Sequence, residues 1–431
     1  MLEKIPDVLL EKAEELEKYY EAHYPALAPL AKQCFLNTIE TTVKRLDDGS
    51  YFVITGDIPA MWLRDSAAQV RPYIKYAKND ALLQEILEGV IAKQAEMVNI
   101  DPYANAFNQG PTGEGHQDIT QLNDSVWERK YEIDSLCAPL YLAYEYWKVI
   151  GNEKIFTDAF KTMIQNVLKV FKTEQHHEKS PYTFERPEEH LVLKTDTLPL
   201  QGHGRPVNPC GLTWSGFRPS DDCCTFGYLI PSNIMAVVAL RYAEEIAREV
   251  YKDDALAAEC KMLKEEIDDA IGVYGVVDHP KYGKMYAYET DGYGHYNLMD
   301  DANSPSLLAM PYLDYCDVSD ELYQNTRNFV LSKDNPYYSE GKYAAGVGSP
   351  HTDKGFVWHI GITMQILTST DRGEIEKCLE MLSKTHDNTN FMHESFNPDN
   401  PSEYSRPWFA WANTLFAQML EKLKTENFFN A

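Results

Sequence analysis

Apolar side chains recur with the 3.6-residue period of an α-helix along most of this chain, and this pattern constrains the fold more than any other feature. In residues 156–171 the apolar positions all fall on one face of an amphipathic helix. Ser232, after Pro231, is a predicted N-cap, and Gly151 is predicted to end another helix. Similar patterns predict helices at 82–97, 134–149, 232–250, 255–271, 357–369, 373–384 and 407–423.

Strand signals are few, and the segments between the predicted helices are long. Only 51–54, after a turn, and 190–195 suggest strands, which is too little for a central sheet. Structureless loops longer than about 12–15 residues are uncommon in compact domains and are often functional. The alternation of predicted helices with long loops therefore predicts an all-α barrel of about a dozen helices, with the long loops at one end of the barrel. No linker or low-complexity tract interrupts the pattern, so one domain of residues 1–431 is expected. The long segments are 99–133, 174–230, 276–306, 335–356 and 388–406.

Composition excludes several classes of partner. The formal charge of −26, from 40 Lys and Arg against 66 Asp and Glu, argues against nucleic acid, which binds basic patches. No apolar run reaches about 18 residues and the start lacks the regions of a signal peptide, so a cytoplasmic protein without a membrane partner is expected. The eight cysteines lack a CxxC spacing and are expected as reduced thiols. The aromatic share of 12% suits either stacking on sugar rings or ordinary core packing.

Residues 56–66 carry the first candidate site, in which Arg64 and Asp65 stand close to Trp62 at the start of a predicted helix. A carboxylate accepts and a guanidinium donates hydrogen bonds, so this pair can hold vicinal hydroxyls while the indole offers a stacking face. A structural ion pair at the helix start explains the same residues. The local sequence leaves both interpretations open.

Residues 213–222 form the second candidate site and place Asp221 and Asp222 side by side after an aromatic loop broken by Gly and Pro. Neighbouring carboxylates repel, which raises the pKa of one of them and can keep it protonated as a general acid near neutral pH. Metal binding and helix capping are the alternative uses of the pair. Local sequence does not decide among the three.

Residues 390–398 form the third candidate site, with Glu394 in a polar and aromatic loop that leads to Arg406 and Trp408. Glu394 can orient a water as a general base, although an isolated loop glutamate also fits a simple solvated charge. The histidine before it does not begin the HExxH motif of a zinc protease, because Asn397 stands where the second histidine is needed.

Two further stretches mix hydrogen-bonding and aromatic side chains and are polar enough to line a pocket. One is 115–134, which contains His116 and Gln117, and the other is 348–358, which contains His351. No EF-hand loop, P-loop, GxSxG or GxGxxG motif occurs. The sequence therefore gives no support to a metal site or a cofactor, or to serine hydrolase, kinase and dinucleotide-binding functions.

Five sequence blocks run in order between residues 51 and 415 and cover nearly the whole chain. They are GDIPAMWLRDSAAQVRPY, WERKYEIDSL, TWSGFRPSDD, MDDANSPSLL and MHESFNPDNPSEYSRPWFAWAN. Together they resemble the signature of glycoside hydrolase family 125, the bacterial and fungal exo-α-1,6-mannosidases. Five long matches are far more specific than any single motif.

The resemblance implies an (α/α)6 barrel that removes a terminal non-reducing α-1,6-linked mannose, as in N-glycans or yeast mannan, by a metal-independent inverting mechanism. It implies Asp221 as the general acid, with Asp222 as the alternative, and Glu394 as the general base. The family's separation of acid and base along the chain favours Asp221. Asp222 would then raise the pKa of Asp221 or hydrogen-bond the sugar. Inversion needs room for a water, so the two carboxyl groups are expected roughly 6.5–9.5 Å apart.

The partner implied by the resemblance is a mannose-containing oligosaccharide, with the protein itself a monomer or weak oligomer and no cofactor. The indoles would stack on the sugar and the polar side chains would bind its hydroxyls. The expected sugar-binding residues are Trp62, Arg64, Asp65, His116, Gln117, Glu132, Trp214, Asp222, His351, Arg406 and Trp408.

Two other functions remain open at the level of sequence. Another helical-barrel glycosidase, such as a calcium-dependent α-mannosidase or a trehalase-like hydrolase, also presents acidic pairs in loops. A catalytically inactive sugar-binding protein is the alternative from a different class, but the presence of both Asp221 and Glu394 argues against it.

Overall fold

A computed structural model describes residues 2–430. Within this range all the helices predicted from the apolar period are confirmed, with small shifts at their ends. The α-helices are α1 Asp7–His23, α2 Ala28–Thr41, α3 Leu63–Val70, α4 Ala81–Ile100, α5 Ile133–Ile150, α6 Asp158–Glu174, α7 Ile230–Glu249, α8 Asp254–Tyr274, α9 Glu321–Val330, α10 His359–Leu367, α11 Arg372–Lys384 and α12 Ala410–Thr425. Short 3₁₀ helices cover Pro25–Leu27, Arg71–Asn79, His177–Lys179, Glu188–His190 and Phe428–Asn430.

The helices are arranged in two concentric rings. In the inner ring α3 packs between α5 and α12, α5 packs against α7, and α10 packs against α12. In the outer ring α4, α6 and α8 pack in succession, α11 packs on α10, and α2 packs on α12. Residues 307–315 fill the remaining inner position, where Tyr141 of α5 donates a 2.9 Å hydrogen bond to the backbone oxygen of Leu313. The predicted all-α, (α/α)6-barrel class is confirmed.

The inner segment 307–315 is a series of turns rather than an α-helix. Pro311 has no backbone N–H to continue a helical hydrogen-bond ladder. The buried carboxylate of Asp300 instead accepts the backbone N–H groups of Leu307 at 2.9 Å and Leu308 at 3.0 Å. A side chain from the preceding loop thus fixes this segment in the ring.

Outer and inner helices begin in different ways. Five outer helices, α4, α6, α8, α9 and α11, begin at side-chain N-caps, which are Asp80, Thr157, Asp253, Asp320 and Asp371, whereas the outer helix α2 has none. The inner helices have no side-chain cap and follow short extended segments, with Trp62, Glu132, Leu229, Trp358 and Phe409 at their N-cap positions. Polar and aromatic residues therefore stand at the starts of four inner helices, all near the barrel axis.

Short antiparallel sheets are formed by the segments between the helices of the barrel. The three-stranded sheets are β3–β4–β5, β10–β9–β6 and β13–β14–β15, and the two-stranded ones are β1–β2, β7–β8 and β11–β12. Strands β3, β6 and β13 lead directly into inner helices. The strands are β1 Val43–Arg45, β2 Tyr51–Val53, β3 Met61–Trp62, β4 Ala106–Phe107, β5 Val126–Glu128, β6 Tyr228–Leu229, β7 Val276–His279, β8 Gly283–Tyr286, β9 Glu289–Thr290, β10 Tyr296–Asn297, β11 Tyr338–Glu340, β12 Ala345–Val347, β13 Val357–Trp358, β14 Ser395–Asn397 and β15 Asn400–Tyr404.

Local predictions had mixed outcomes. The strand predicted at 51–54 is confirmed as β2, and Gly151 ends α5 with a φ of +80°. The strand predicted at 190–195 is wrong, because Asp196 accepts the backbone N–H groups of the two residues that start a turn there. Ser232 is not an N-cap, since α7 already begins at Ile230 and includes Pro231 in its first turn.

One contiguous cluster of buried apolar side chains extends from Leu9 in α1 to Leu423 in α12. The organisation as one domain of residues 1–431 stays a prediction, and its end residues Met1 and Ala431 lie outside the described residues. Among residues 2–430, no helix is long and apolar enough to cross a membrane. All eight cysteines are free thiols.

Candidate active site

A cavity of about 150 Å³ lies at the end of the barrel where the inner helices begin. Arg64 and Asp65 reach it from the first turn of α3, and Trp411 reaches it from the first turn of α12. The remaining walls come from the loops and from the short extended segments that precede the inner helices. The lining residues are Thr55, Ile58, Trp62, Arg64, Asp65, Pro219, Ser220, Asp221, Asn303, His351, Trp358, Glu394, Arg406, Phe409 and Trp411.

The cavity gathers more than half of the site residues expected from the sequence. Those in its wall are Trp62, Arg64, Asp65, Asp221, His351, Glu394 and Arg406. Those outside its wall are His116, Gln117, Glu132, Trp214, Asp222 and Trp408. Each of the three candidate segments therefore contributes at least one side chain to a common space.

Arg64 is the centre of a buried charge cluster. Its Nη1 donates to Glu132 at 2.7 Å and to Asp134 at 3.0 Å, and its Nη2 lies 3.2 Å from Asp65. One guanidinium thus faces three carboxyl groups, and all four side chains are buried. Nε of Arg64 and Oδ2 of Asp65 have no hydrogen-bond partner, which leaves polar capacity next to the cavity. Arg64 and Asp65 therefore form a structural ion pair and also present polar atoms that a ligand can bind.

Asp221 is held in an unusual backbone conformation at the cavity wall. Its φ is +69°, in the left-handed region that costs a non-glycine residue free energy. Its N–H donates to the backbone oxygen of Arg218 at 2.9 Å, and its own backbone oxygen accepts from Nζ of Lys130 at 2.8 Å. Oδ1 accepts from Nδ2 of Asn105 at 3.3 Å. These contacts fix the backbone of Asp221 and place its carboxyl group beside Asn105.

Glu132 is the carboxyl neighbour of Asp221, since Nδ2 of Asn105 lies 3.4 Å from Glu132 and 3.3 Å from Asp221. Burial, against the attraction of Arg64, raises the pKa of Glu132 well above its ordinary value. Burial alone would also raise the pKa of Asp221, but the charges of Lys130 and Arg64 outweigh it and hold that pKa below its ordinary value. The raised pKa expected for an aspartate of this loop therefore belongs to Glu132.

Asp222 is fully buried behind the wall rather than exposed to the cavity. Its carboxylate accepts from the hydroxyls of Thr195 and Ser220, and Oδ2 lies 3.2 Å from Nδ1 of His351. Although burial lowers it, contact with Asp222 raises the pKa of His351 to about 9. The expectation that Asp222 raises the pKa of Asp221 is therefore wrong. Asp222 instead holds a protonated His351 in the cavity wall.

Glu394 precedes strand β14 and is fixed by the hairpin that this strand forms with β15. Its Oε2 accepts a 2.8 Å hydrogen bond from Ser405, and its Oε1 lies 3.6 Å from Nη1 of Arg406. Arg406 also forms an ion pair with Asp57 at 2.5 Å, on the loop that leads to β3. The opposite side of the hairpin is tied to α10, because Nδ1 of His359 accepts the N–H of His393 at 3.0 Å.

The three tryptophans expected to stack on a sugar occupy different environments. Trp62 lines the cavity, and its Nε1 lacks a hydrogen-bond partner. Trp214 does not reach the cavity, because its indole stacks on His177 with ring centroids 3.5 Å apart and packs against Gly227. Trp408 is partly buried beside Gly56, outside the wall.

His116 and Gln117 lie on an exposed loop and do not reach the cavity. Nε2 of His116 is 3.6 Å from Oε2 of Glu128, which is itself bound to Nη2 of Arg186 at 2.7 Å. Glu132 stands one layer behind the wall, at the N-cap position of α5. These residues surround the site without forming its surface.

Sequence reasoning did not select several residues that build the site. Trp358, Phe409 and Trp411 supply most of its aromatic wall, and Asn303 presents an Nδ2 without a hydrogen-bond partner. Lys130 was also missed, although it supports Asp221 directly. The sequence did point to these five residues, because all of them lie in or next to the quoted sequence blocks or the stretch 348–358. Their roles depend on which way each side chain points, and the sequence does not give that.

The comparisons with known proteins agree with this geometry. The family model described as metal-independent alpha-mannosidase (GH125) matches residues 24–421. A solved Streptococcus pneumoniae metal-independent α-mannosidase, in a non-productive complex with α-1,6-mannobiose, is 44% identical with a TM-score of 0.94 and covers 98% of both chains. The meiotically up-regulated gene 157 protein of Schizosaccharomyces pombe is 40% identical over 419 residues, 91% of this chain and 81% of that protein.

More distant structures share the fold alone. A glucoamylase from Saccharomycopsis fibuligera has a TM-score of 0.58 at 11% identity and covers 97% of this chain and 96% of its own. A bacterial glucoamylase bound to acarbose has a TM-score of 0.56 at 14% identity and covers 93% of this chain and 55% of its own. In the part of the chain that the structure describes, no three His, Cys, Asp or Glu side chains form a metal-holding group.

Proposed function

This chain belongs to the metal-independent α-mannosidase family GH125, and we propose that it is an inverting exo-α-1,6-mannosidase acting on N-glycan or mannan-type oligosaccharides. The observation that carries the proposal is that Asp221 and Glu394 line the same cavity. They come from segments far apart in the sequence. Asp221 is fixed through Lys130, from the loop after β5, and Glu394 is fixed through Ser405 of its own hairpin.

The proposed reaction uses these two carboxyl groups in opposite roles. Asp221 donates a proton to the glycosidic oxygen as the bond from that oxygen to C1 of the mannose breaks. Glu394 removes a proton from a water whose oxygen bonds to C1 on the opposite face. The configuration at C1 is therefore inverted. The sequence also offers Asp222 as the acid. Its carboxylate lies behind the wall and already contacts Ser220 and His351, so we assign the role to Asp221.

The free hydrogen-bonding capacity of the cavity suits the hydroxyls of a sugar. Oδ2 of Asp65 can accept and Nδ2 of Asn303 can donate, since both atoms are buried without a hydrogen-bond partner, although Oδ2 lies 3.2 Å from Nη2 of Arg64. The charged Arg406 and His351 provide further donors in the wall. Trp62 and Trp411 add aromatic surface on which the apolar C–H face of a pyranose can pack. We assign Arg64 to holding Asp65 and Glu132 in place as well as to binding the ligand.

The linkage preference is supported by the related S. pneumoniae protein, whose complex contains α-1,6-mannobiose. Exo action is supported by the small size of the cavity, about 150 Å³, because a site of this size accepts the end of a chain more readily than its middle. The expected sugar-binding roles of His116, Gln117, Trp214 and Trp408 find no support in the geometry of the cavity. Cytoplasmic residence and a monomeric or weakly oligomeric state stay predictions from the sequence.

A panel of mannobioses tests the proposal. The purified enzyme is incubated with α-1,2-, α-1,3- and α-1,6-mannobiose, with and without EDTA, and free mannose is measured. We expect release from the α-1,6-linked disaccharide, undiminished by EDTA. Loss of activity in EDTA would favour a calcium-dependent mannosidase. The absence of turnover on all three, with binding retained, would favour a sugar-binding protein.

A further inference from the structure

We propose that Glu132 is a positioning residue that shares one proton with Asp221 and supplies it to Asp221 when the leaving group needs it. The inference rests on the proposed function, because it takes Asp221 as the general acid. Glu132 does not touch the cavity and acts only through its neighbour. The two carboxyl groups then form one proton-holding unit, the Glu132–Asp221 pair.

The hydrogen-bond geometry calls for a proton between these groups. Oε2 of Glu132 accepts from Arg64 at 2.7 Å and from Ser135 at 2.8 Å, which leaves Oε1 for the side that faces Asp221. Two ionised carboxylates can only accept hydrogen bonds, so they repel when they face each other. A single proton converts the contact into a charge-assisted hydrogen bond.

The amide of Asn105 cannot supply the missing donors. Its Nδ2 lies 2.9 Å from Glu128, 3.3 Å from Asp221 and 3.4 Å from Glu132. An amide nitrogen carries two hydrogens, and here it faces three carboxyl groups. One acceptor is therefore always left without a donor from Asn105, and a shared proton on the Glu132–Asp221 pair removes that deficit.

The surrounding charges give the same result, because carboxyl groups outnumber cations in this buried region. Asp65 and Asp134 face the pair from α3 and α5, Glu128 faces it from β5, and Glu394 lies across the cavity. A net excess of negative charge in a desolvated region favours retention of a proton. The cations that face the pair are Arg64 from α3, Lys130 from the loop after β5, and His351 from the loop before β13. Glu128 and Glu394 each have a further cation, Arg186 and Arg406, so six carboxyl groups stand against five cations.

The two members of the pair differ in where the proton rests. Burial raises the pKa of Glu132 well above its ordinary value, whereas the charges of Lys130 and Arg64 hold the pKa of Asp221 below its own. These directions draw the shared proton towards Glu132 and away from Asp221. An isolated Asp221 in this place would be a poor acid near neutral pH, because it would hold no proton to give.

The transfer balances without any additional reactant. The proton moves from Oε1 of Glu132 to the Asp221 carboxylate, and from Asp221 to the glycosidic oxygen as the bond to C1 breaks. Glu394 takes the proton of the attacking water as that oxygen bonds to C1. At the end Glu132 and Asp221 are both ionised and Glu394 is protonated. Exchange with solvent after product release returns one proton to the pair.

The test compares two leaving groups in wild type and Glu132→Gln. α-1,6-Mannobiose needs a proton on its leaving oxygen, whereas 2,4-dinitrophenyl α-mannoside releases a stable phenolate without one. We expect kcat/KM for mannobiose at pH 7 to fall by about 10²–10⁴-fold, the usual contribution of a general acid. We expect the aryl substrate to lose less than about tenfold, and the alkaline limb of the mannobiose profile to move about one pH unit or more towards acid.

Asp134→Asn is the matched control. Asp134 is equally buried and binds the same Nη1 of Arg64, yet it is held by Ser232 and not by Asp221. A merely structural effect of weakening the Arg64 cluster should appear in both variants and on both substrates. Asp134→Asn removes one of the negative charges that face the pair and should move the alkaline limb only slightly towards acid, by less than Glu132→Gln does. Glu132→Asp, which keeps a carboxyl group, should restore part of the shift.

The outcomes separate this inference from the proposed function. If Asp221→Asn loses mannobiose turnover selectively while Glu132→Gln keeps the wild-type alkaline limb, the proton-sharing role is wrong and the acid assignment stands. If Asp221→Asn retains full activity on mannobiose, the acid assignment itself fails. If Glu132→Gln does not fold, neutron diffraction of the wild-type protein decides, because a deuteron between the two carboxyl groups near pH 6 is required and its absence overturns the proposal.

Discussion

Ser405 donates a 2.8 Å hydrogen bond to Oε2 of Glu394, and this contact fixes the orientation of the candidate base. Ser405 is itself anchored, since its N–H donates to the backbone oxygen of Ser395 at 2.9 Å. The other carboxylate oxygen, Oε1, is left on the side of Arg406 and the cavity. A base held in this way can meet a water without first reorganising.

Replacement of Glu394 by Gln should remove the base while keeping the shape of the site. We expect kcat on α-1,6-mannobiose to fall by about 10²–10⁴-fold with little change in thermal stability. The matched control is Glu403→Gln on the same hairpin, an exposed carboxylate that binds Asn397 and Asn400. That variant should keep near wild-type kcat. Comparable losses in both variants would mean that the hairpin, and not the carboxylate, matters.

Asp221→Asn and Asp222→Asn should separate the two candidates for the acid. We expect Asp221→Asn to lose turnover of mannobiose far more than turnover of an activated aryl mannoside, because only the former needs a proton. Asp222→Asn should instead lower the pKa of His351 and raise KM for both substrates, since it weakens the contact between these side chains. Steady-state kinetics on the two substrates checks this, and the reverse pattern would make Asp222 the acid.

Arg64→Met should destabilise the folded state strongly. It leaves Asp65, Glu132 and Asp134 buried without their common cation, and loss of one partner of a buried ion pair costs about 3–5 kcal/mol. Urea unfolding measures the change. The control is Arg241→Met, whose partner Asp314 is mostly exposed, and a loss of about 1 kcal/mol or less is expected there. Equal losses of unfolding free energy in Arg64→Met and Arg241→Met would contradict a stabilising role for the buried Arg64 cluster.

Gly56→Ala should disturb the junction between the loop before β3 and the loop before α12. Gly56 has a φ of +136°, and an added Cβ would lie 2.3 Å from the backbone oxygen of Trp408. The ion pair between Arg406 and Asp57 joins the same two loops. We therefore expect Gly56→Ala to raise KM and to lower stability. Gly49→Ala is the control, since its φ is +84° with nothing within 4 Å of the added atom. It should lower stability slightly and leave KM unchanged.

Acid should destabilise the protein through His359. Burial lowers the pKa of this imidazole to about 3, so the folded state keeps it neutral while the unfolded chain protonates it near pH 6.5. The unfolded state then binds more protons, and stability from this group is lost as pH falls from about 6.5 to about 3. In urea unfolding, the destabilisation caused by His359→Gln should be about 2–3 kcal/mol smaller at pH 4.5 than at pH 7.5. An unchanged difference would contradict a neutral buried His359.

Much of the fold was predictable because the local sequence largely determines where helices form and end. The apolar period of 156–171 and the Gly at 151 specify a helix and a helix end without distant contacts. The inner segment 307–315 was not predictable in this way, since the carboxylate of Asp300 and the absence of an N–H at Pro311 decide its backbone. The strand predicted at 190–195 failed for the same kind of reason, because Asp196 imposes a turn.

The site was predictable as a set of segments but not side chain by side chain. Asp221 and Asp222 are adjacent in sequence, yet they serve different spaces because successive side chains of non-helical backbone point in different directions. Trp214 and Trp411 show the same limit. The first is packed into the core by glycines such as Gly227, whereas the second faces the cavity from the first turn of α12. Long-range packing decides both orientations.

The stereochemistry of the first product tests the central claim most directly. Proton NMR of a fresh digest of the methyl α-glycoside of α-1,6-mannobiose, whose leaving group is methyl α-mannoside with a fixed anomeric centre, resolves the anomeric proton of the released mannose before mutarotation mixes the forms. With Asp221 as acid and Glu394 as base on opposite faces, the first product is β-mannose, and the α form grows in later. Initial release of α-mannose would contradict the inverting mechanism and the roles given to both residues.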